Sequence, residues 1–81
     1  MDLVKLTEQL VKNLVKEPDM VSVKQFDDID DVIVIQVLVN SSDMGLVIGK
    51  GGNIANAIRT VVQASAHINN MKKVKINIDE F

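Results

Sequence analysis

The chain has 81 residues, 47% of them hydrophobic, no cysteine, and a formal net charge of −2. This length supports one small domain whose core is near the lower limit for independent stability. The lack of cysteine excludes disulfides and thiolate metal ligands, which fits a reducing cytosol. No basic segment followed by an apolar run marks a signal peptide, and no apolar run is long enough to span a bilayer. We therefore expect one soluble, cytoplasmic domain over residues 1–81.

The charged residues are distributed unevenly along the chain. The first 43 residues carry nine acidic and four basic side chains, whereas residues 44–78 carry five basic and no acidic side chains. The acidic total, taken alone, argues against nucleic acid as a partner. A local field matters more than the total charge, however, so the second half of the chain favours a polyanionic partner.

The first half of the chain predicts a helix followed by two strands. Leucine and valine recur at helical spacing over residues 3–16, with Asp2 as a possible N-cap and Pro18 preventing continuation. Residues that favour β-structure predict a first strand over residues 20–26. The nearly continuous apolar run over residues 32–39 predicts a strand at the centre of a sheet.

Four aspartates lie in the turn between these strands, at residues 27–31. A calcium loop of the EF-hand type would need alternating oxygen ligands, a glycine and a later glutamate, which the following residues do not supply. A solvated hairpin turn is the better interpretation. No metal site is predicted.

The second half predicts two helices joined by a glycine-rich loop, and then a strand. Residues 44–48 predict a short apolar helix, and a longer helix follows over residues 53–67, ended by two asparagines. Alternating apolar and polar residues over 73–79 predict a strand with one buried face. The order α-β-β-α-α-β then places the first two strands antiparallel and returns the last strand parallel to the second through a right-handed crossover. The predicted fold class is α+β, with a three-stranded mixed sheet and the helices packed on one face.

The loop Gly49-Lys50-Gly51-Gly52 combines features that favour phosphate binding. Glycine permits backbone conformations and close approaches that a Cβ would block. The loop leads into a helix N-terminus, where free N–H groups and the helix dipole attract anions, and Lys50 adds a full charge. The P-loop spacing is not met, because its glycines have four residues between them and are followed by Lys and Ser or Thr. The dinucleotide fingerprint is not met either, because it requires glycine where Ile54 stands.

A G-x-x-G turn between two helices, preceded by Ile48 and followed by Ile54, resembles the KH domain. Residues 43–52 (DMGLVIGKGG) and 57–62 (AIRTVV) closely resemble the stand-alone bacterial KH proteins of the KhpA family. The resemblance covers nearly the whole chain and implies a type II KH domain. It implies single-stranded RNA as the ligand, with about four nucleotides held by the loop. It also implies an RNA chaperone or post-transcriptional regulator that pairs with a second KH-containing protein linked to cell elongation and division.

The predicted RNA site is the loop and its surroundings. Backbone N–H groups of Gly51 and Gly52 approach phosphate, and four isoleucines (Ile48, Ile54, Ile58 and Ile76) form the floor of a groove for bases, although Ile58 and Ile76 fit a core equally well. The full set of predicted RNA-binding residues is Ile48, Gly49, Lys50, Gly51, Gly52, Asn53, Ile54, Arg59, Lys73 and Lys75. For the two lysines, a solvated strand edge is the ordinary alternative.

Two features of the sequence reduce the expected affinity. Relatives often carry arginine at the positions of Leu46 and Asn53, and neither side chain here is charged. The only aromatic residues are Phe26 and Phe81, so base stacking contributes little. One such domain should bind RNA in the micromolar range or more weakly.

No enzyme is predicted, since the chain has one histidine, no cysteine and no paired carboxylates in an apolar setting. The residues imply no cofactor, membrane or small-molecule substrate. The alternative to RNA binding is an assembly module that uses the same fold as a protein-binding surface. A surplus of apolar residues on the long helix predicts a homodimer: Ile54, Ile58, Val61 and Ser65 suffice as the inward stripe, which leaves Ala55, Val62 and Ala66 as the dimer interface. The competing surface is the bare face of the sheet, with Val32, Val34 and Leu38.

Overall fold

The computed structural model describes residues 2–27, 31–71 and 73–81. Its helices and strands are α1 (Leu3–Lys12), β1 (Ser22–Asp27), β2 (Val32–Val39), α2 (Met44–Ile48), α3 (Asn53–Ile68) and β3 (Lys73–Glu80). The sheet has the order β1-β2-β3, with β1 antiparallel and β3 parallel to β2. The predicted order α-β-β-α-α-β and the three-stranded mixed sheet are confirmed.

The core lies between one face of the sheet and the helices. On the central strand, alternate residues are buried, and the residues between them are half-buried on the opposite face; the buried set is Ile33, Ile35, Val37 and Val39. Helix α3 contributes to the same core and lies against β3, while α1 contacts α3 and β1. Each fully buried branched side chain contributes about 1.5–3 kcal/mol to stability. The alternation of buried and half-buried residues confirms that one face of β2 lies in the core and that the other lies on the side without helices, as predicted.

Helix α1 ends at Lys12, four residues earlier than the sequence predicted. Its start agrees with prediction, because the Asp2 carboxylate accepts a hydrogen bond from the N–H of Lys5 at 3.1 Å. At its end, the side chain of Asn13 donates to the carbonyl of Gln9 at 2.8 Å. The same carbonyl also accepts from the N–H of Asn13 at 3.3 Å, and the N–H of Leu14 donates to the carbonyl of Val11 at 3.0 Å, only three residues back, so the regular helical bonding ends here.

The segment after α1 is held by a buried carboxylate. Asp43 is fully buried and accepts hydrogen bonds from the N–H of Lys16 at 3.2 Å and of Glu17 at 2.9 Å. Residues Pro18–Met20 then form a 3₁₀ turn, so β1 begins at Ser22 and not at residue 20. A contact distant in sequence therefore replaces the predicted last turn of the helix and the first residues of the strand.

Replacing Asp43 with alanine should lower the free energy of unfolding by about 2–3 kcal/mol, because charge-assisted hydrogen bonds are lost and a void is left. Urea unfolding followed by circular dichroism measures this loss. The matched control is Asp19→Ala, since Asp19 is exposed on the nearby 3₁₀ turn. Equal stability of the two variants would show that the Asp43 carboxylate does not hold the linker.

The predicted aspartate turn falls largely outside the described residues, at positions 28–30. Within the described ranges, no group of three histidine, cysteine or acidic side chains is placed to hold a metal ion. Among the helices of the same ranges, none is long and apolar enough to cross a membrane.

Candidate nucleic-acid interface

Gly49 makes the turn from α2 to α3 possible. Its N–H donates to the carbonyl of Gly45 at 2.9 Å, which closes the short helix. Its φ is +74°, and a Cβ at this position would overlap the side chains of Ile54 and Asn53. Only glycine combines this conformation with such a close approach. Gly49 is therefore needed to shape the loop.

Gly51 and Gly52 leave open space above the loop. Their φ angles are +62° and +80°, and a Cβ at Gly51 would meet no atom of the described residues within 4 Å. The N–H of Gly52 already donates to the carbonyl of Gly49 at 3.3 Å, and that of Asn53 donates to Lys50. Of the two glycine N–H groups predicted to face phosphate, that of Gly51 is therefore the better placed.

The loop leads directly into the positive end of a long helix. Helix α3 has 16 residues, and its first turn contains no acidic residue; in the part of the chain that the structure describes, no side chain caps its N-terminus. Lys50 is exposed next to this end, and so is Asn53. The dipole of α3 and the Lys50 charge thus act on the same space, which suits a phosphate group.

The inward face of α3 differs from the predicted one. The buried residues are Ala55, Ile58, Val62 and Ala66, whereas Val61 is 45% exposed. The prediction that Ala55, Val62 and Ala66 form a dimer interface is therefore wrong. All three are at most 2% exposed within their own chain. The small alanines let α3 pack closely against the rest of its own domain, in the same way that small residues allow close packing between subunits.

One flank of α3 faces the free edge of β3. Arg59 donates from Nε to the carbonyl of Ile76 at 3.2 Å and from Nη1 to Oδ1 of Asn56 at 3.2 Å. One turn later, Nε2 of Gln63 donates to the carbonyl of Val74 at 3.2 Å. Sequence reasoning found Arg59 but missed Asn56 and Gln63. Their spacing from Arg59, three residues before and four after, places them on the same flank and could have indicated them.

An open groove follows this flank. One part has a volume of about 550 Å³ and is lined by Val32, Arg59, Gln63, Lys73, Val74, Lys75, Ile76 and Asn77. A second part, of about 430 Å³, is lined by Gln63, Ala66, His67, Met71, Lys73 and Val74. The structure thus brings the predicted residues Arg59, Lys73 and Lys75 together around one groove.

The four isoleucines do not form one surface. Ile58 and Ile76 are 4% and 3% exposed, so they belong to the core, as their alternative interpretation stated. Ile48 is half-buried at the end of α2, next to the loop. Ile54 lines a groove on the opposite flank of α3, away from β3. The prediction that all four side chains form one apolar floor is therefore wrong.

The opposite flank of α3 forms an apolar groove with α1. Its volume is about 340 Å³, and it is lined by Leu10, Asn13, Leu14, Ile54, Ala57, Ile58 and Val61. Leu14 and Val61 are 36% and 45% exposed. We call this surface the α1–α3 groove. Val61 is exposed here, although the sequence placed it on the inward stripe of the helix.

Comparison with known proteins places this arrangement in a family. The family model described as "KhpA/KhpB, KH domain" matches residues 4–78. RNA-binding protein KhpA of Clostridium perfringens is 45% identical over 73 residues, which cover 90% of this chain and 95% of that protein. RNA-binding protein KhpA of Caldanaerobacter subterraneus is 42% identical with the same coverage.

Solved structures share the fold at low sequence identity. Era of Aquifex aeolicus bound to GDP and aluminium fluoride superposes with a TM-score of 0.68 at 15% identity, over 98% of this chain and 30% of Era. A structure of Era in complex with MgGDPNP and a fragment of 16S ribosomal RNA gives 0.67 at 16% identity, over 96% of this chain and 29% of Era. The chain thus spans about a third of Era. With the family model matched over nearly its whole length, the chain belongs to the KhpA/KhpB family of KH domains.

Proposed function

We propose that this chain is a non-enzymatic protein that binds single-stranded RNA in the cytoplasm. The observation that carries the proposal is the loop at residues 49–52, where open glycine backbone, Lys50 and the uncapped end of α3 meet. The names of the relatives, which are RNA-binding proteins, support the choice of ligand. KH domains clamp about four nucleotides at such a loop.

The RNA path runs from the loop into the groove between α3 and β3. Arg59 lies six residues after the start of α3, which is about 9 Å along the helix axis. Lys73 and Lys75 line the same groove from the strand. A short backbone segment can therefore touch the loop and reach these cations, while its bases face the edge of β3.

A chemical-shift titration with short random single-stranded RNA tests this path. We expect the amide signals of Gly51, Asn53, Val74 and Ile76 to shift, and those of Leu10 and Leu14 in the α1–α3 groove to stay unchanged. Shifts confined to the α1–α3 groove would contradict the proposed site. An absence of shifts at millimolar RNA would contradict RNA binding itself.

Binding should weaken as salt rises. If two or three phosphates are neutralised, the logarithm of affinity falls against the logarithm of salt with a slope of about −1.5 to −2, given the coefficient for single strands. Fluorescence anisotropy at several potassium chloride concentrations measures the slope. A slope near zero would show that uncharged contacts, and not Lys50 or the cations of the groove, provide the affinity.

The biological role that we propose is that of an RNA chaperone or post-transcriptional regulator. Weak binding of a few nucleotides suits a protein that contacts many RNAs briefly. A partner with a second KH domain would add contacts to the RNA, and this chain would need no second RNA site of its own.

A second proposal concerns assembly, and the α1–α3 groove is the observation that favours it. We propose that this groove forms a homodimer interface in place of the one predicted from sequence. Exposed Val61 and Leu14 beside half-buried Ile54 give a continuous apolar surface. The groove lies on the flank of α3 opposite to β3, so two RNA sites would remain open in the dimer. Two weak sites on one RNA would raise the apparent affinity.

Replacing Val61 with aspartate should give a folded monomer, because a charge in the centre of an apolar interface is strongly unfavourable. Sedimentation at about 100 μM protein measures the state of the wild type and the variant. Thr60→Asp serves as the matched control, since Thr60 is an exposed neighbour outside the groove. A wild type that is already monomeric would contradict the dimer.

A further inference from the structure

The free edge of β3 is covered by side chains from α3. β3 is the last strand of the sheet, so one of its edges has no neighbouring strand among the described residues. Such an edge presents unpaired backbone N–H and C=O groups. The Gln63 amide donates a hydrogen bond to the carbonyl of Val74, and the Arg59 guanidinium donates one to the carbonyl of Ile76, each at 3.2 Å. These side chains take the positions that a neighbouring strand would otherwise fill.

The spacing of the two elements explains how both bonds form together. Four residues of helix, from position 59 to 63, advance about 6.0 Å. Two residues of strand, from position 76 back to 74, advance about 6.6 Å. The donors on α3 therefore match the acceptors on β3 in pitch, with the two elements running in opposite directions. The cover is a property of the register between helix and strand, and not of one side chain.

The two covering side chains differ in how firmly they are held. The Arg59 guanidinium has a second bond, to Asn56. Within the described part of the chain, the Gln63 amide has the single bond to Val74, and the residue is exposed. A neutral hydrogen bond of this kind has a small net free energy, because another donor can take its place. Gln63 lines both parts of the groove, as do Lys73 and Val74.

We propose that Gln63 is an exchangeable cover over the β3 edge, which a nucleobase displaces when RNA binds. The Val74 carbonyl passes from the Gln63 amide to an N–H donor of the base, while Arg59 stays in place and keeps its charge in the groove. Gln63 thus lowers the affinity for any ligand that reads the strand edge, and it shields that edge when no ligand is bound. This inference rests on the proposed RNA-binding function.

Gln63→Ala tests the exchange, and alanine preserves the helix. We expect the variant to bind a random single-stranded RNA hexamer about twofold to tenfold more tightly than the wild type, because no internal bond has to break. An abasic ribose-phosphate hexamer has the same charge and no bases, so the variant should bind it as the wild type does. The matched control is Gln9→Ala on the exposed face of α1, which should bind both oligomers unchanged.

Fluorescence anisotropy with both oligomers separates the possible outcomes. Unchanged or weaker binding of the RNA hexamer by Gln63→Ala overturns the cover and leaves the proposed function intact. Tighter binding of the abasic oligomer as well also overturns it, because the gain would then not arise from a base. If neither the wild type nor the variant binds either oligomer, the proposed function fails, and the exchange at Gln63 fails with it because no base is bound.

Discussion

Replacing Lys50 and Gly51 together with aspartate should lower the affinity for RNA by about 100-fold or more, since repulsion replaces attraction at the phosphate. The change removes one positive charge and adds two negative charges at the tip of the loop. Aspartate at position 51 also places a side chain in the open space above the backbone. The phosphate then meets both a like charge and a steric block.

The fold should survive this double replacement. Lys50 is exposed, and within the described ranges a Cβ at Gly51 meets no atom closer than 4 Å. Gly51 has φ +62° and ψ +19°, a left-handed conformation that aspartate adopts more readily than most residues, at a cost of about 1 kcal/mol. The new carboxylates lie near the N-terminus of α3, where the helix dipole offsets part of this cost.

Anisotropy titration measures the loss of affinity, and circular dichroism verifies the fold. The control replaces Lys5 and Gln9 on the exposed face of α1 with aspartate, so the net charge changes equally but far from the loop. If the control loses as much affinity as the loop variant, total charge is responsible and not the loop. Wild-type affinity of the loop variant would exclude the loop as the RNA site.

Replacing Val62 with aspartate should unfold the protein. Val62 is fully buried in the core cluster of α3 and the sheet. The variant loses about 1.5–3 kcal/mol of apolar burial and must place a carboxylate in an apolar site, at a cost of several kcal/mol more. A domain of this size has a total stability of about 5–10 kcal/mol, so little native state remains.

The neighbouring variant Val61→Asp makes this a paired experiment. Val61 is 45% exposed, so a carboxylate there stays hydrated, and the free energy of unfolding of the monomer should change by about 1 kcal/mol or less. Proton NMR dispersion and thermal unfolding distinguish the two variants. A folded Val62→Asp together with an unfolded Val61→Asp would show that α3 is turned the other way.

Local sequence determined most of the elements and the loop. β2 and α2 span the predicted residues, because an eight-residue apolar run and a short helix between turn residues and glycine have few alternatives. The family resemblance rested on the glycine loop, and three positive φ angles explain why glycine stands at positions 49, 51 and 52. In these segments, each residue's own conformational preference agrees with the fold.

The tertiary structure decided where α1 ends and which face of α3 is buried. The end of α1 depends on the Asp43 carboxylate. This group accepts a hydrogen bond from the N–H of Lys16, which lies 27 residues earlier in the sequence. Two faces of α3 are apolar: one contains Val61, and the other contains Ala55 and Ala66. Hydrophobicity alone favours burial of the face with Val61, because valine is more apolar than alanine. Close packing favours the alanines, because α3 can approach its own chain only where the side chains are small.

Helical spacing could place Gln63 on the flank of Arg59, but its hydrogen bond to the edge of β3 was beyond the reach of the sequence. Gln63 and Val74 are 11 residues apart, and neither side chain by itself suggests a contact. Their bond depends on the register between a helix and an unpaired strand edge, which packing of the whole domain sets. Propensity and periodicity act over one or two turns of chain, so they specify elements and loops. Contacts between elements arise only when those elements share one core.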